Sequence, residues 1–334
     1  MFSRLRAALV NLVLGPCLCF AAACAGAAEP TPLRVKVFIG AQHLPIHVGI
    51  AKGIFARHGV TVELQYTRNS DEVRNGLAAG DFEIAQTAVD NAVALVDAAG
   101  KDVIIVMGGE GGLNDFIVQP EIKSVADLRG RVIAVDAPNT AYAILAKKIL
   151  LNNGLKEGQD YSLKPVGGSA QRLKAMLENK ELAAVLLNVP FSIQATQNGL
   201  KSLGRTVDLL GPYQATGAYV MRAWAQANAQ TLERYIAAYV ESLRWVMQPA
   251  NRAECVAMLV EKVKLSPGLA ERAYDLLREP GFGLETDARF NLEGFKNLLA
   301  LRAEFEGQPG SKPPAPEKYF DLSYYQRAVK TLGR

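Results

Sequence analysis

Histidine and cysteine are the side chains best suited to metal ligation and to nucleophilic chemistry near neutral pH, and this sequence uses both sparingly. The histidines are His43, His47 and His58. His43 and His47 stand four residues apart, a spacing that on one helix face could ligate a metal. Pro45 lies between them and suits the first turn of a helix, which would leave His43 outside it. There is no HExxH and no later histidine to complete a site, so no metal is expected. His47 reads as a packed residue and His58 as a helix-end residue favoured by the helix dipole. Cys17, Cys19 and Cys24 sit near the N-terminus, and Cys255 is alone in the rest of the chain, beside Val256 and Met258. A lone thiol makes no internal disulfide; Cys255 reads as a small buried hydrophobe. With no P-loop and no G-x-S-x-G either, no catalytic residue and no cofactor is expected.

The remaining polar residues are better placed to bind than to react. Several fall where a strand ends or a helix begins: Gln42 and His43, then Thr87, Asp90 and Asn91, then Asn139, Thr140, Ser169 and Asn188. Hydroxyls, amides and the free N–H groups of a helix start can hold a small polar molecule. Gln42, Thr87 and Asn139 are the first choices, with Thr87 read as a helix cap. Each of these residues could equally be capping a helix or closing a turn.

The elements that must position them alternate. Leu33–Ile39, Val60–Tyr66, Phe82–Ala85 and the fully apolar Val103–Met107 have strand patterns. Helices are predicted over Leu44–Arg57, from Asn69 or Ser70 to Gly80, and over Val89–Ala99. A second block follows. Its strands are Asp115–Gln119, Arg131–Val135, Tyr161–Val166 and Leu182–Leu187. Its helices start near Ser124, Thr140, Ser169 and Pro190. Gly217–Arg222 is a last strand, and from Gln230 the chain is helical, with a Pro-rich linker at Pro309–Pro316. Two βα blocks in series predict two doubly wound α/β sheets with ligand chemistry between them.

The N-terminus predicts export. Arg4 and Arg6 precede an apolar run from Ala7 to Ala23 and a small-residue exit at Ala25-Gly26-Ala27-Ala28, the layout of a signal peptide. Ala21-Ala22-Ala23-Cys24 also resembles a lipoprotein box, so lipidation at Cys24 stays open beside soluble export. The full chain carries 37 basic and 33 acidic residues, with no basic run or stripe, which argues against nucleic acid as a partner.

Four stretches in order carry a resemblance. They are Pro45–Phe55 with His58-Gly59-Val60, then Gly76–Ala85, Ile122–Val135, and Gly167–Leu177 with Ala183-Ala184-Val185. The chain resembles the solute-binding proteins of the nitrate/sulfonate/taurine and thiamine-pyrimidine-precursor group. That resemblance implies a type II periplasmic-binding-protein fold: two doubly wound α/β lobes joined by a two-strand hinge, with a helical C-terminal tail. Lobe I would hold residues 29–114 plus 213–334, lobe II residues 115–212, and residues 1–28 would be the signal peptide. The glycine-rich run Gly108–Gly112 would suit the first crossing because glycine absorbs backbone rotation. Glu110 within it and Tyr213 at the return crossing join the candidate ligand contacts. A buried unpaired carboxylate is costly, so Asp90 and Glu110 must face water, pair with Lys or Arg, or meet a ligand that brings donors or positive charge.

The implied function is a monomeric periplasmic receptor that closes on a small-molecule ligand and delivers it to an ABC transporter permease. A sulfonate, carboxylate or related anion is favoured. A nitrogen heterocycle or amine is the alternative, and an enzyme of pyrimidine-precursor synthesis on the same fold is a further one. The fungal synthases of that kind carry a cysteine-rich motif that this sequence lacks.

Overall fold

From Thr31 the chain lays down β1 (Thr31–Phe38), α1 (Leu44–Ala51), α2 (Ile54–Arg57), β2 (Val60–Thr67), α3 (Ser70–Ala79), β3 (Ile84–Ala88), α4 (Asp90–Asp97) and β4 (Val103–Gly108). The structure is a computed structural model that describes residues 29–307 and 311–333. The export segment and Cys24 therefore lie outside the described residues. Among those residues no helix is long and apolar enough to cross a membrane. The helix predicted over Leu44–Arg57 is two helices, because Gly53 adopts φ 64° between them, a left-handed conformation open to glycine at little cost.

The chain then enters a second sheet through β5 (Asn114–Val118), β6 (Arg131–Val135), α5 (Ala141–Asn152), β7 (Tyr161–Pro165), α6 (Ser169–Glu178), β8 (Leu182–Asn188), α7 (Phe191–Gln197), β9 (Lys201–Arg205) and α8 (Thr206–Leu210). It returns as β10 (Thr216–Met221). The sheet orders are β2-β1-β3-β10-β4 and β7-β6-β8-β5-β9. In the first, β1 is parallel to β2 and β3, and β10 is antiparallel to β3 and β4. In the second, β6 is parallel to β7 and β8, and β5 is antiparallel to β8 and β9. Each sheet thus holds one reversed strand in the same place, and each reversed strand is the one that follows a crossing. The sheets are mixed for this reason. Strand β9 and α8 fall where no element was expected: Lys201–Arg205 is a half-exposed edge strand without an apolar run.

The two crossings bond to each other. The N–H groups of Ala215 and Thr216 donate to Glu110 O, at 3.2 and 3.4 Å, and Glu110 N donates to Thr216 Oγ1 at 3.2 Å. The glycines here serve close approach as much as rotation. A Cβ on Gly108 would stand 2.1 Å from Arg289 O, and one on Gly109 2.6 Å from Thr216 Oγ1; within the run, Gly112 has a positive φ, 117°.

The tail comprises α9 (Arg222–Ala227), α10 (Ala229–Met247), α11 (Arg252–Val263), α12 (Pro267–Leu277), α13 (Leu292–Glu306) and α14 (Ser323–Thr331). Helix α10 buries Leu232, Tyr235, Ile236, Tyr239, Leu243 and Val246, a helical stripe that covers the first sheet. Each such burial contributes about 1.5–3 kcal/mol. Tyr235 also stacks on Phe55 at 5.5 Å and donates to Gln86 Oε1 at 2.6 Å. Cys255 is buried, and burial pushes its thiol up to about 12, which keeps it protonated and inert.

Candidate functional site

The carboxyl ends of the parallel strands of both sheets face one cleft. Its empty space is about 550 Å³, part of it open to solvent. From the first sheet, β1 ends at Phe38 and Ile39 and leads to Gln42 and His43; β2 leads to Ser70 at the start of α3; β3 supplies Thr87 and leads to Asn91 in the first turn of α4. Thr216, at the near end of the reversed β10, completes this wall.

Asn91 is buried, and its side-chain oxygen has no partner. Thr87 is not a helix cap: the cap position belongs to Val89, and Thr87 Oγ1 pairs with the hydroxyl of Tyr219 at 2.6 Å. Burial, with His47 adding a smaller push, lowers His43 to about 3. Burial and then Lys262 lower His47 to about 4. Both rings are neutral at neutral pH.

The second sheet supplies Asp136 after β6, then Thr140, Ala141 and Tyr142 at the start of α5, Gly168, Ser169 and Arg172 around the start of α6, and Asn188 at the end of β8. Arg172 is the cationic residue of the lining and its side chain is 1 % exposed. Nη1 donates to Gly167 O at 2.7 Å, and Nη2 donates to Ser169 Oγ at 3.0 Å and Leu186 O at 3.1 Å. Its Nε has no partner. The guanidinium lies 5.3 Å from the centre of the Tyr142 ring and 3.9 Å from Asp136 Oδ1. Burial holds the Arg172 value below its usual range against the pull of Asp136, and burial pushes the Tyr142 phenol up.

Hydrogen bonds cross the cleft. Ser70 Oγ donates to Asp136 Oδ2 at 3.1 Å. Asn188 Nδ2 donates to Gln42 Oε1 at 3.2 Å. Gly168 N donates to Arg68 O at 3.1 Å, and Ala41 N to Val189 O at 3.4 Å. With its oxygen engaged by Asn188, the Gln42 amide donates from Nε2 to His43 Nε2 at 3.2 Å. The proton of the neutral His43 ring then sits on Nδ1, which has no partner. Asp136 is well supplied, since Thr140 Oγ1 also donates to it.

Seven of the eleven candidate residues line this cleft: Gln42, His43, Thr87, Asn91, Thr140, Ser169 and Asn188. Four do not. Asp90 points away from it and pairs with Arg302 of α13 at 2.5 Å. The Glu110 carboxylate is turned into the crossing, where Oε2 accepts from Gly112 N at 2.5 Å and Leu113 N at 2.8 Å. Tyr213 is buried in the core beside the crossings. Asn139 borders a different hollow, between α4 and α13. A carboxylate buried away from water takes the nearest donors the fold offers, which is why both acids left the cleft. Among the described residues no cluster of His, Cys, Asp and Glu could hold a metal ion.

A sequence profile described as the NMT1-like family matches residues 26–260. The chain belongs to the NMT1-like family. No curated protein matches it by sequence. Its fold is similar to three solved structures. The periplasmic nitrate-binding protein NrtA from Synechocystis PCC 6803 has TM-score 0.78 and 15 % identity over 91 % of this chain and 90 % of that one. The periplasmic aliphatic sulphonate binding protein SsuA from Escherichia coli has 0.68 and 18 % over 88 % and 92 %. The desulfurization enzyme DszB has 0.62 and 14 % over 90 % and 99 %. The chain therefore has the type II periplasmic-binding-protein fold.

In this NMT1-like chain the cleft also holds residues that sequence reasoning passed over: Phe38, Ile39, Ser70, Asp136, Tyr142, Arg172 and Thr216. Asp136 had a signal, since it directly follows a buried strand, and Ser70 stood as a possible cap. Arg172 lies three residues after Ser169 and so on the same helix face, which a helical-wheel reading of α6 would have found. Thr216 had none, because a reversed strand shows no direction in its pattern.

Proposed function

We propose that the protein is a periplasmic receptor for a small organic anion, taken up between its two lobes and passed to the permease of an ABC importer. The observation that carries the ligand's sign is Arg172: a buried guanidinium at the cleft with one donor unused. An unsatisfied buried donor costs about 1–3 kcal/mol, and an anionic oxygen relieves it with a charge-assisted hydrogen bond. His43 Nδ1 is a second unused donor, and the first turns of α4, α5 and α6 present N–H groups to the same space. Phe38, Ala88, Ala141 and Tyr142 supply apolar wall for a carbon body. Asp136, the acid that could attract an amine, already accepts two hydroxyls and faces Arg172, so the unused groups of the lining are two donors, Arg172 Nε and His43 Nδ1, against one acceptor, Asn91 Oδ1. Likeness in fold to nitrate- and sulphonate-binding proteins supports the receptor reading, while likeness to DszB shows that the fold also hosts an enzyme.

A thermal-shift screen of sulfonates, carboxylates, pyrimidines and amines tests the proposal. An organic anion at about a hundredfold excess over its Kd adds about 2.7 kcal/mol of stability, seen as a raised Tm with the ligand recovered unchanged. Arg172→Lys keeps the charge but removes the planar fork, and weakens binding at least about tenfold. Shifts with amines or pyrimidines alone, or consumption of the ligand, would overturn it.

A further inference from the structure

Arg172 accounts for one end of a ligand and leaves the opposite wall of the cleft unengaged. That wall is built by the first sheet, and among the described residues it carries no Asp, Glu, Lys or Arg. Its titratable side chain is His43, which burial keeps neutral. Two polar atoms on it are buried without a partner among the described residues, Asn91 Oδ1 and His43 Nδ1. The two residues are 1 % and 2 % exposed, so water reaches neither freely. Their neighbours fix which atom of each is left over. Gln42 Nε2 donates to His43 Nε2 at 3.2 Å, so the other ring nitrogen is a donor. Burial pushes the Tyr219 phenol up, and the side chains of Thr87 and Asn91 pull against it. An amide favours a phenolate through its N–H, so the Asn91 nitrogen serves Tyr219 and its oxygen is left over.

A simple anion offers acceptors alone. It answers Arg172 but leaves Asn91 Oδ1 buried without a donor, which is unfavourable. An ammonium group would supply a donor, yet its charge would be buried without a counter-charge. The wall has no acid, and Asp136 already accepts from Ser70 and Thr140 and faces Arg172. The donor that Asn91 calls for is therefore neutral.

We infer that the ligand is two-ended: an anionic head at Arg172 and, against the first sheet, an uncharged group that donates to Asn91 Oδ1 and accepts from His43 Nδ1. A carboxamide or a hydroxyl has both halves. This rests on the anion reading above and narrows it. Simple alkyl anions are disfavoured because they leave Asn91 unpaired. Amino acids and other zwitterions are disfavoured because they bring a charge that the wall does not meet.

Calorimetric titration with matched carboxylates tests it. Succinamate ends in a carboxamide, isocaproate in an isopropyl group of the same shape, and γ-aminobutyrate in an ammonium at the same distance. Glutaramate and adipamate, each with its isopropyl and ammonium counterparts, extend the length. The best-bound amide should exceed both of its counterparts at least about tenfold, because a site built to hydrogen-bond a group rejects the analogue that lacks it. Asn91→Leu removes the acceptor and His43→Phe the donor, and each should cut that preference to below about threefold. Arg172→Lys should weaken amide and isopropyl acid alike and keep the preference. Two ligands compared on one protein give a ratio that a loss of folded protein does not move. If an isopropyl acid binds the parent chain as tightly as its amide, the neutral end is refuted while the anion reading stands. If an amine binds most tightly, the uncharged wall is refuted. If amides are preferred but neither wall variant changes the preference, the assignment to Asn91 and His43 is refuted. If no carboxylate of the series binds, both readings fall.

Discussion

Glu110 shows how a single side chain can be chosen for the wrong reason and still matter. It was a candidate ligand contact because it sits in the glycine-rich crossing near the expected cleft. In the structure it holds the first crossing by accepting two backbone N–H groups. Burial pushes its carboxyl up from 4.5 to about 7, against those two bonds and with a further push from Glu285. The folded-state value lies above the unfolded one, so the folded chain binds the proton more tightly. Its contribution to stability is therefore full below pH 4.5 and is lost as pH rises to about 7. Glu110→Gln keeps an oxygen for the same N–H groups and cannot ionise. Urea midpoints taken across this range should fall less steeply with pH in the variant than in the parent. Parallel curves would show that Glu110 does not titrate in the crossing.

At the scale of elements, α13 connects what the chain order keeps apart. Its Arg302 pairs with Asp90 of α4 and also with Glu306. Its Glu304 accepts from Lys148 of α5 at 2.8 Å, and Asn297 Nδ2 donates to Pro212 O at the return crossing, 2.9 Å away. The Lys148 pair is partly exposed and contributes under about 1 kcal/mol. The Asp90 pair is buried, so Arg302→Met leaves an uncompensated carboxylate and should destabilise the fold by about 3–5 kcal/mol. Asp90→Asn combined with Arg302→Met should recover much of that loss, read as the urea midpoint. An equal loss in the double variant would show that Arg302 acts through packing alone. The same helix explains why Asp90 does not line the cleft: its partner lies 212 residues along the chain, beyond any local pattern.

For the whole molecule, the proposed receptor reading sets closure on the bonds that cross the cleft, together a few kcal/mol at about 0.5–1.5 kcal/mol each. Ser70→Ala with Gln42→Ala removes two side-chain bonds between the lobes, each contributing about 0.5–1.5 kcal/mol. The open form should gain about tenfold or more against the closed one. Small-angle scattering would show a larger radius of gyration for the double variant, and a saturating anion should reduce it again, because a ligand shifts the equilibrium by its preference for the closed form. Identical scattering curves for parent and variant, with and without ligand, would rule out closure on these bonds.

What the sequence determined by itself were the features carried by local spacing. Strand alternation, the apolar run Val103–Met107 and the α10 stripe depend on neighbours within a few residues, so two βα blocks and a helical tail were legible. So was the rule that polar groups at strand ends and helix starts line the crevice, which placed Gln42, His43, Thr87, Asn91, Thr140, Ser169 and Asn188 on it. The tertiary structure alone decided which groups face each other. Ser70 meets Asp136 across 66 residues and Gln42 meets Asn188 across 146, and a reversed strand brings Thr216 beside β3. It also decided where the acids went, since a buried charge takes its partner from space and not from sequence. Arg172 is the clearest case: one more helical arginine in the sequence, and in the fold the buried cation on which the proposed anionic ligand rests.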